Sequence, residues 1–300
     1  MLYREIVRMA KSASRTKNVW IKVHTRRERR VVTDIYNFSS CFDYPLAFLS
    51  DVERTELKQK SDRTQFLAKH GFAANAKIMG LFGYISEYKG IETAINALSE
   101  LPDEYELAIF GGHHPQAIQP NTPIHPYLQS LLDLISETDD RMYKRDLKVA
   151  RLKRMARAPI NFSDEDSAAV VKRRPIEDRV RFIGTLEDPE FIEALKLVDT
   201  VVLPYLEVGQ SMSGIVVLGM ESGAKMICAS NHSFFETSRY FGNVFESFDM
   251  GNYVELASKV KFGTENPQRL EFTERRDAAY EKYNIRSSVL EQLSHFAHKS

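Results

Sequence analysis

The ten residues Ala76–Ile85, AKIMGLFGYI, constrain this chain more than any other stretch. They are almost wholly apolar, contain two glycines and show no polar–apolar alternation. A strand covered on one face alternates. A near-continuous apolar run ending in a glycine turn suits a parallel strand buried on both faces. Similar runs follow at Tyr105–Phe110 (closed by Gly111-Gly112), Val180–Ile183, Asp199–Leu203 and Met226–Ala229, and a minor sixth strand is expected at Val244–Phe245. Helical segments at Ile91–Leu101, Pro189–Leu197 and Ile215–Ser222 lie between them. This alternation predicts a doubly wound, parallel, Rossmann-like α/β sheet. Residues 247–260 and 267–300 read as mostly helical, with Pro267 suited to a first helical position.

The front of the chain is less regular. Residues 1–16 read as a helix, Val19–Val23 as a short strand, Arg26–Ile35 as a charged helix and 36–55 as loop with one short strand. Glu56–His70 reads as one polar helix stopped by Gly71. The expected organisation is a short N-terminal unit with its linker over 1–74 and the Rossmann-like domain over 75–300. Residues 113–175 break the rhythm. They are too many for a regular connection and are expected to form an insertion, helical in parts.

Composition excludes several classes. Lys and Arg together equal Asp and Glu, so the net charge is zero and no general preference for polyanions follows. Two cysteines, Cys41 and Cys228, make no disulfide framework and fit a reducing cytoplasm. No apolar run reaches membrane-span length, and the basic start lacks the apolar core of a signal peptide. The expected location is cytoplasmic, with peripheral contact at the inner membrane face as an option. There is no GxGxxG with a downstream acidic ribose reader, which argues against a nicotinamide-dependent oxidoreductase. No Gly-x-Ser-x-Gly elbow is present either.

Two segments carry anion-binding chemistry. Gly83–Gly90, GYISEYKG, follows the first strand of the sheet, where ligands of open α/β folds bind. A glycine turn there lets backbone approach a phosphate, and Lys89 supplies a point charge. The plainer alternative is a surface lysine in an ordinary strand–helix loop. The second segment is Pro204–Gly223, in which Ser213-Gly214 begins a helix whose free N–H groups and dipole favour an anion. The plainer alternative makes Ser213 a simple helix cap. Both segments belong at the same sheet edge, where they would form a diphosphate clamp.

The stretches 76–90, VRFIGTLEDPEFIEALKLVDTVVLPY (180–205), QSMSG…ESGAKMICAS (210–230) and FFE (234–236) resemble the C-terminal domain of family-4, GT-B-fold glycosyltransferases. They are most similar to the subgroup with an FG-x-I-x-x-YKG loop and a Q-S-x-SG helix start. The similarity spans about residues 19–260, apart from the insertion. It implies transfer of a sugar from a nucleotide-diphosphate donor to a glycan or lipid-linked acceptor, with retention and without a metal. It implies that Lys89 contacts the donor diphosphate beside the turn at Gly83, and that Ser213 and Gly214 form the phosphate-facing helix start. Gly184 and Thr185 would lie near the base. Glu236 matches a loop acid common after the fifth strand and is a catalytic candidate with Lys89.

Departures from the family pattern matter as well. Tyr84 stands where the family often has arginine. The E-x7-E pair is replaced in register by Gln210 and Leu218, with Glu207 and Glu221 off those positions. Only about 75 residues precede the donor domain, so most of an acceptor domain is missing from the pattern. The alternative reading is therefore a non-catalytic or split-enzyme donor-binding module that needs a partner chain.

Three other features have a plain reading and a functional one. His24, near the end of a short strand, is either a base or a structural histidine. His113, His114 and His125 have no acidic or cysteine partners at metal-ligand spacing. Arg141–Arg157 holds eight basic residues and one acid, with Met142, Leu147, Leu152 and Met155 as an irregular apolar side. It is either a solvated helix paired with local acids or a helix that lies on anionic lipid. Sparse aromatics there argue against nucleic acid.

Overall fold

The computed structural model describes residues 2–15, 17–112, 123–156, 173–207, 209, 211–266 and 270–297. The chain opens with α1 (Leu2–Ala13), β1 (Ile21–Val23) and α2 (Arg26–Arg30), the last running on into a π-type turn at Val31–Ile35. Next comes β2 (Cys41–Asp43), which pairs parallel with β1. Val7, Ala10, Val23, Val32, Phe38 and Cys41 form a small core of their own here.

The polar segment expected as one helix is two, α3 (Asp51–Lys60) and α4 (Arg63–Lys69). Asp62 divides them. Its carboxylate accepts from the Thr64 and Gln65 backbone N–H groups and restarts the helix.

The main sheet is built from β3 (Lys77–Phe82), β4 (Tyr105–Phe110), β5 (Val180–Gly184), β6 (Thr200–Leu203), β7 (Met226–Ala229) and β8 (Glu246–Phe248). All its ladders are parallel, in the spatial order β5-β4-β3-β6-β7-β8. The last strand begins two residues later than the apolar pair Val244–Phe245 suggests. That pair is buried beside the strand instead of pairing within it.

Helices cover both faces: α5 (Ile91–Ser99), α6 (Pro126–Ala156), α7 (Asp188–Leu197), α8 (Gly214–Ser222), α9 (His232–Phe241) and α10 (Tyr253–Glu265). One core packs α7, α8 and α9 under the sheet, and the other packs α5, α6 and α10 over it. The insertion thus supplies a long helix. Met142, read as part of its apolar side, is buried in the upper core, while Arg141 and Arg145 bond Asn96 and Glu100 of the neighbouring segment.

α11 (Leu270–Lys282) and α12 (Ile285–Ala297) close the chain. α11 rests on α8 and α9. α12 returns to the small N-terminal sheet, where the His295 ring stacks on Phe42 at 4.2 Å and lies 4.7 Å from Trp20. Lys22 Nζ donates to Ser288 Oγ across the same contact at 2.8 Å.

Candidate functional site

Sheet growth reverses between β3 and β6, which are neighbours in space but not in sequence. The crevice beyond the carboxyl ends of two such strands is where open α/β sheets bind ligands. Gly83 leaves β3 with φ +105°, and a Cβ there would lie 2.9 Å from Lys89 Nζ. Gly90, φ +63°, sits under the loop after β6; a Cβ would come within 2.0 Å of the Pro204 carbonyl oxygen. These two glycines let the loops after β3 and β6 close on each other.

Lys89 lies between those loops with only 5% of its surface exposed. Its ammonium hydrogen-bonds the Tyr205 hydroxyl and lies 4.0 Å from the centre of that ring and 5.1 Å from that of Tyr88. Among the described residues it has no carboxylate partner. Burial pushes its pKa down to about 7. Burial without a carboxylate disfavours the charged ammonium, which is the cause of that shift. Lys89 is therefore not the surface lysine of the plainer reading.

Ser213 occupies the cap position of α8, buried at 1% exposure, yet its side chain does not cap the helix. It hydrogen-bonds Tyr205 instead, and burial raises that phenol's pKa. Ser213, Tyr205 and Lys89 thus form one connected chain, and the first N–H groups of α8 are left without a side-chain cap. Gly214 has a second reason to be glycine, because a Cβ there would lie 3.3 Å from the Phe48 ring.

Gly184 ends β5, and its carbonyl accepts from Gly111 N–H at 2.8 Å. Thr185 is exposed, with Oγ1 against Gly112, so the loops after β4 and β5 touch. Tyr84 is 48% exposed beside the crevice. Gln210, His113, His114 and Arg157 lie outside the described residues. Leu218 packs on the lower core.

The two off-register glutamates have structural partners. Glu207 accepts from Gly209 and His232 N–H, anchoring the start of α9. Glu221 is fully buried and accepts from Phe48 and Leu49 N–H, holding the linker down.

Glu236 is not on a loop but in the second turn of α9, 1% exposed, with Oε1 bonded to Arg239 and Oε2 lacking a partner among the described residues. It faces a different wall from Lys89. The two are linked through Asn231, which caps α9 and donates to the Tyr205 carbonyl at 3.3 Å. His24 has its Nδ1 at 3.2 Å from the Tyr44 carbonyl oxygen, tying the end of β1 to the strand beside it. Among the described residues no group of three His, Cys, Asp or Glu side chains could hold a metal ion, and no helix is long and apolar enough to cross a membrane.

Tyr205 is the residue that sequence reasoning missed. Its signal was its place one residue beyond Pro204, which follows a buried strand that ends at the crevice.

No protein-family model matches this sequence, and no curated protein does. Solved structures do. HepE of Anabaena, in complex with UDP, superposes with TM-score 0.63 at 15% identity, over 97% of this chain and 68% of that one. Sucrose-phosphate synthase of Thermosynechococcus elongatus gives 0.64 at 14%, over 97% and 60%. WaaG, a glycosyltransferase involved in lipopolysaccharide biosynthesis, gives 0.60 at 14%, over 100% and 70%. The fold is that of GT-B glycosyltransferases. At these identities the likeness to the GT-B proteins is one of fold, and this chain spans between 60% and 70% of these three.

Proposed function

We propose that this chain binds a nucleotide-diphosphate sugar at the β3–β6 crevice and transfers the sugar to a glycan or lipid-linked acceptor with retention, without a metal. The observation that carries the reading is Lys89: a buried amine with no carboxylate partner among the described residues, at the switch point of a parallel sheet, beside a helix start without a side-chain cap. A diphosphate would accept from Lys89 Nζ and from the first N–H groups of α8, and Gly83 leaves room for it. Gly184 and Thr185 are assigned to the base side, and Tyr84 and Gln210 to the donor rim.

In the proposed step the bond between the anomeric carbon and the phosphate oxygen breaks as the acceptor oxygen bonds to that carbon from the same face. The acceptor proton passes to the departing phosphate oxygen. Lys89 and the helix end stabilise the charge that develops there. Glu236, which lies across the Tyr205–Asn231 contact from Lys89, is assigned to the acceptor side.

A second reading, a donor-binding module completed by a partner chain, draws on the two-stranded N-terminal sheet and on the share of the GT-B chains that this sequence spans. A thermal-shift screen with nucleotide diphosphates and nucleotide sugars tests both. Stabilisation by one of them, lost in Lys89→Ala and retained in Lys148→Ala, is the expected result. No response to any nucleotide sinks donor binding. Transfer or hydrolysis by the chain alone removes the partner-chain reading.

A further inference from the structure

A second cleft, of about 310 Å³, opens between α2 and α9 and is lined by Arg26, Arg27, Arg30, His232, Glu236 and Arg239. Four guanidinium groups face one carboxylate.

The α2 wall is held rigidly. Thr25 and Glu28 form a reciprocal capping box at its start, and Glu28 also accepts from His24 N–H at 3.0 Å. Arg29, on the other side of the helix, is drawn off to Asp43 at 3.2 Å. Arg26 lies 5.4 Å over the Tyr240 ring. Arg26, Arg27 and Arg30 are exposed, and none of them has an acid within salt-bridge distance among the described residues. On the α9 wall Arg239 satisfies one oxygen of Glu236, while Glu236 Oε2 and His232 Nε2 are buried with no hydrogen-bond partner among the described residues.

Converging guanidinium forks recognise phosphate oxygens in pairs. The Glu236 carboxylate and the His232 imidazole line the same cleft and suit the hydroxyls of a polyol. We propose that this cleft binds the phosphate group of a phosphorylated acceptor, with Arg27 and Arg30 as its principal ligands and Glu236 and His232 facing the hydroxyls. The inference rests on the donor site proposed above, from which it is separated by the Tyr205–Asn231 contact. It narrows the acceptor to a phosphate-bearing one, whether a soluble sugar phosphate or a lipid phosphate.

The test is a calorimetric titration of the whole chain with inorganic phosphate, glucose 6-phosphate and short-chain dihexanoyl phosphatidate, each with and without saturating UDP. Glucose serves as the uncharged control. The expected result is that glucose 6-phosphate or the phosphatidate binds and glucose does not, and which of the two binds more tightly names the source. Arg27→Ala/Arg30→Ala should weaken that binding tenfold or more and leave UDP affinity within twofold, and Lys89→Ala should do the reverse. Both arginines are exposed, so the double variant is expected to fold, and its circular dichroism and melting curve check this.

The inference is overturned if no phosphate compound binds, or if the double variant binds as the unaltered chain does. It is equally overturned if the double variant weakens UDP as much as phosphate, because the cleft would then hold the donor. Failure of UDP binding alone, with phosphate binding intact, removes the donor reading and leaves the phosphate cleft standing.

Discussion

Lys89 and Tyr205, 116 positions apart, meet with the ammonium 4.0 Å from the centre of the phenol ring and bonded to its hydroxyl. The pair joins the two loops that flank the switch point of the sheet. It also places a cation where water does not reach, and its energetics give the first prediction.

Because the folded-state pKa of Lys89 is lowered to about 7, the unfolded chain holds a proton between that pH and about 10.5 that the folded chain has released. Stability contributed by this site therefore rises with pH across that window. Below pH 7 the full penalty of a buried charge is present. Lys89→Met should melt higher than the unaltered chain, most clearly at or below pH 7, and should lose that slope. The same variant should bind nucleotide diphosphate at least tenfold more weakly. In the unaltered chain binding should take up a proton near pH 8, which calorimetry in two buffers of different ionisation enthalpy reads directly.

Glu221 has the opposite sign. Burial raises its pKa to about 7, so between pH 4.5 and 7 the folded chain keeps a proton that the unfolded chain has lost. Its contribution to stability falls as pH rises through that window. Glu221→Gln retains an acceptor for the Phe48 and Leu49 N–H groups and should flatten the dependence. Glu221→Leu leaves both donors unsatisfied, at about 1–3 kcal/mol each. Denaturant midpoints at pH 5 and pH 8 separate the two variants.

Arg179 is buried at the end of α5, donating to the carbonyls of Leu98, Leu101, Pro102 and Tyr105. Arg179→Met should cost roughly 3 kcal/mol or more, since it strands several buried acceptors at once. It touches nothing in the crevice. Its melting point should drop while nucleotide affinity, measured below that temperature, is retained.

Gly90→Ala brings a Cβ into the Pro204 carbonyl and strains a left-handed backbone. A loss of about 2 kcal/mol or more is expected. Because the same collision pushes the two loops apart, nucleotide binding should fall with it. Gly223→Ala has positive φ but open space and serves as the comparison; it should lose stability and keep binding.

Much of the sheet was legible because β3, β4, β6 and β7 are buried on both faces and so lack polar interruptions. The break between α3 and α4 was missed: Asp62 followed three residues later by Gln65 marks it, but a polar segment has no apolar period to lose at the break. Val244 and Phe245 misled because burial without ladder pairing looks the same in sequence as a strand. At the site, Lys89, Gly83 and Ser213 could be read from their places after strands and before a helix. The arginine cleft could not. Its two walls are set by α2 and α9, far apart in sequence, and only the packing between them reveals that exposed arginines of the charged helix share a cleft with Glu236.

The return of α12 to the first sheet has a mechanical consequence. The chain crosses from the small N-terminal unit to the Rossmann-like body at residues 44–51 and crosses back at 282–285, where the Tyr44 hydroxyl meets the Lys282 carbonyl at 3.4 Å. Near the first crossing the Tyr280 hydroxyl bonds the Leu49 carbonyl at 3.1 Å. The two crossings are thus fastened to one another by hydrogen bonds as well as by covalent chain, so the unit that carries the arginine wall is moored to the body at two neighbouring places.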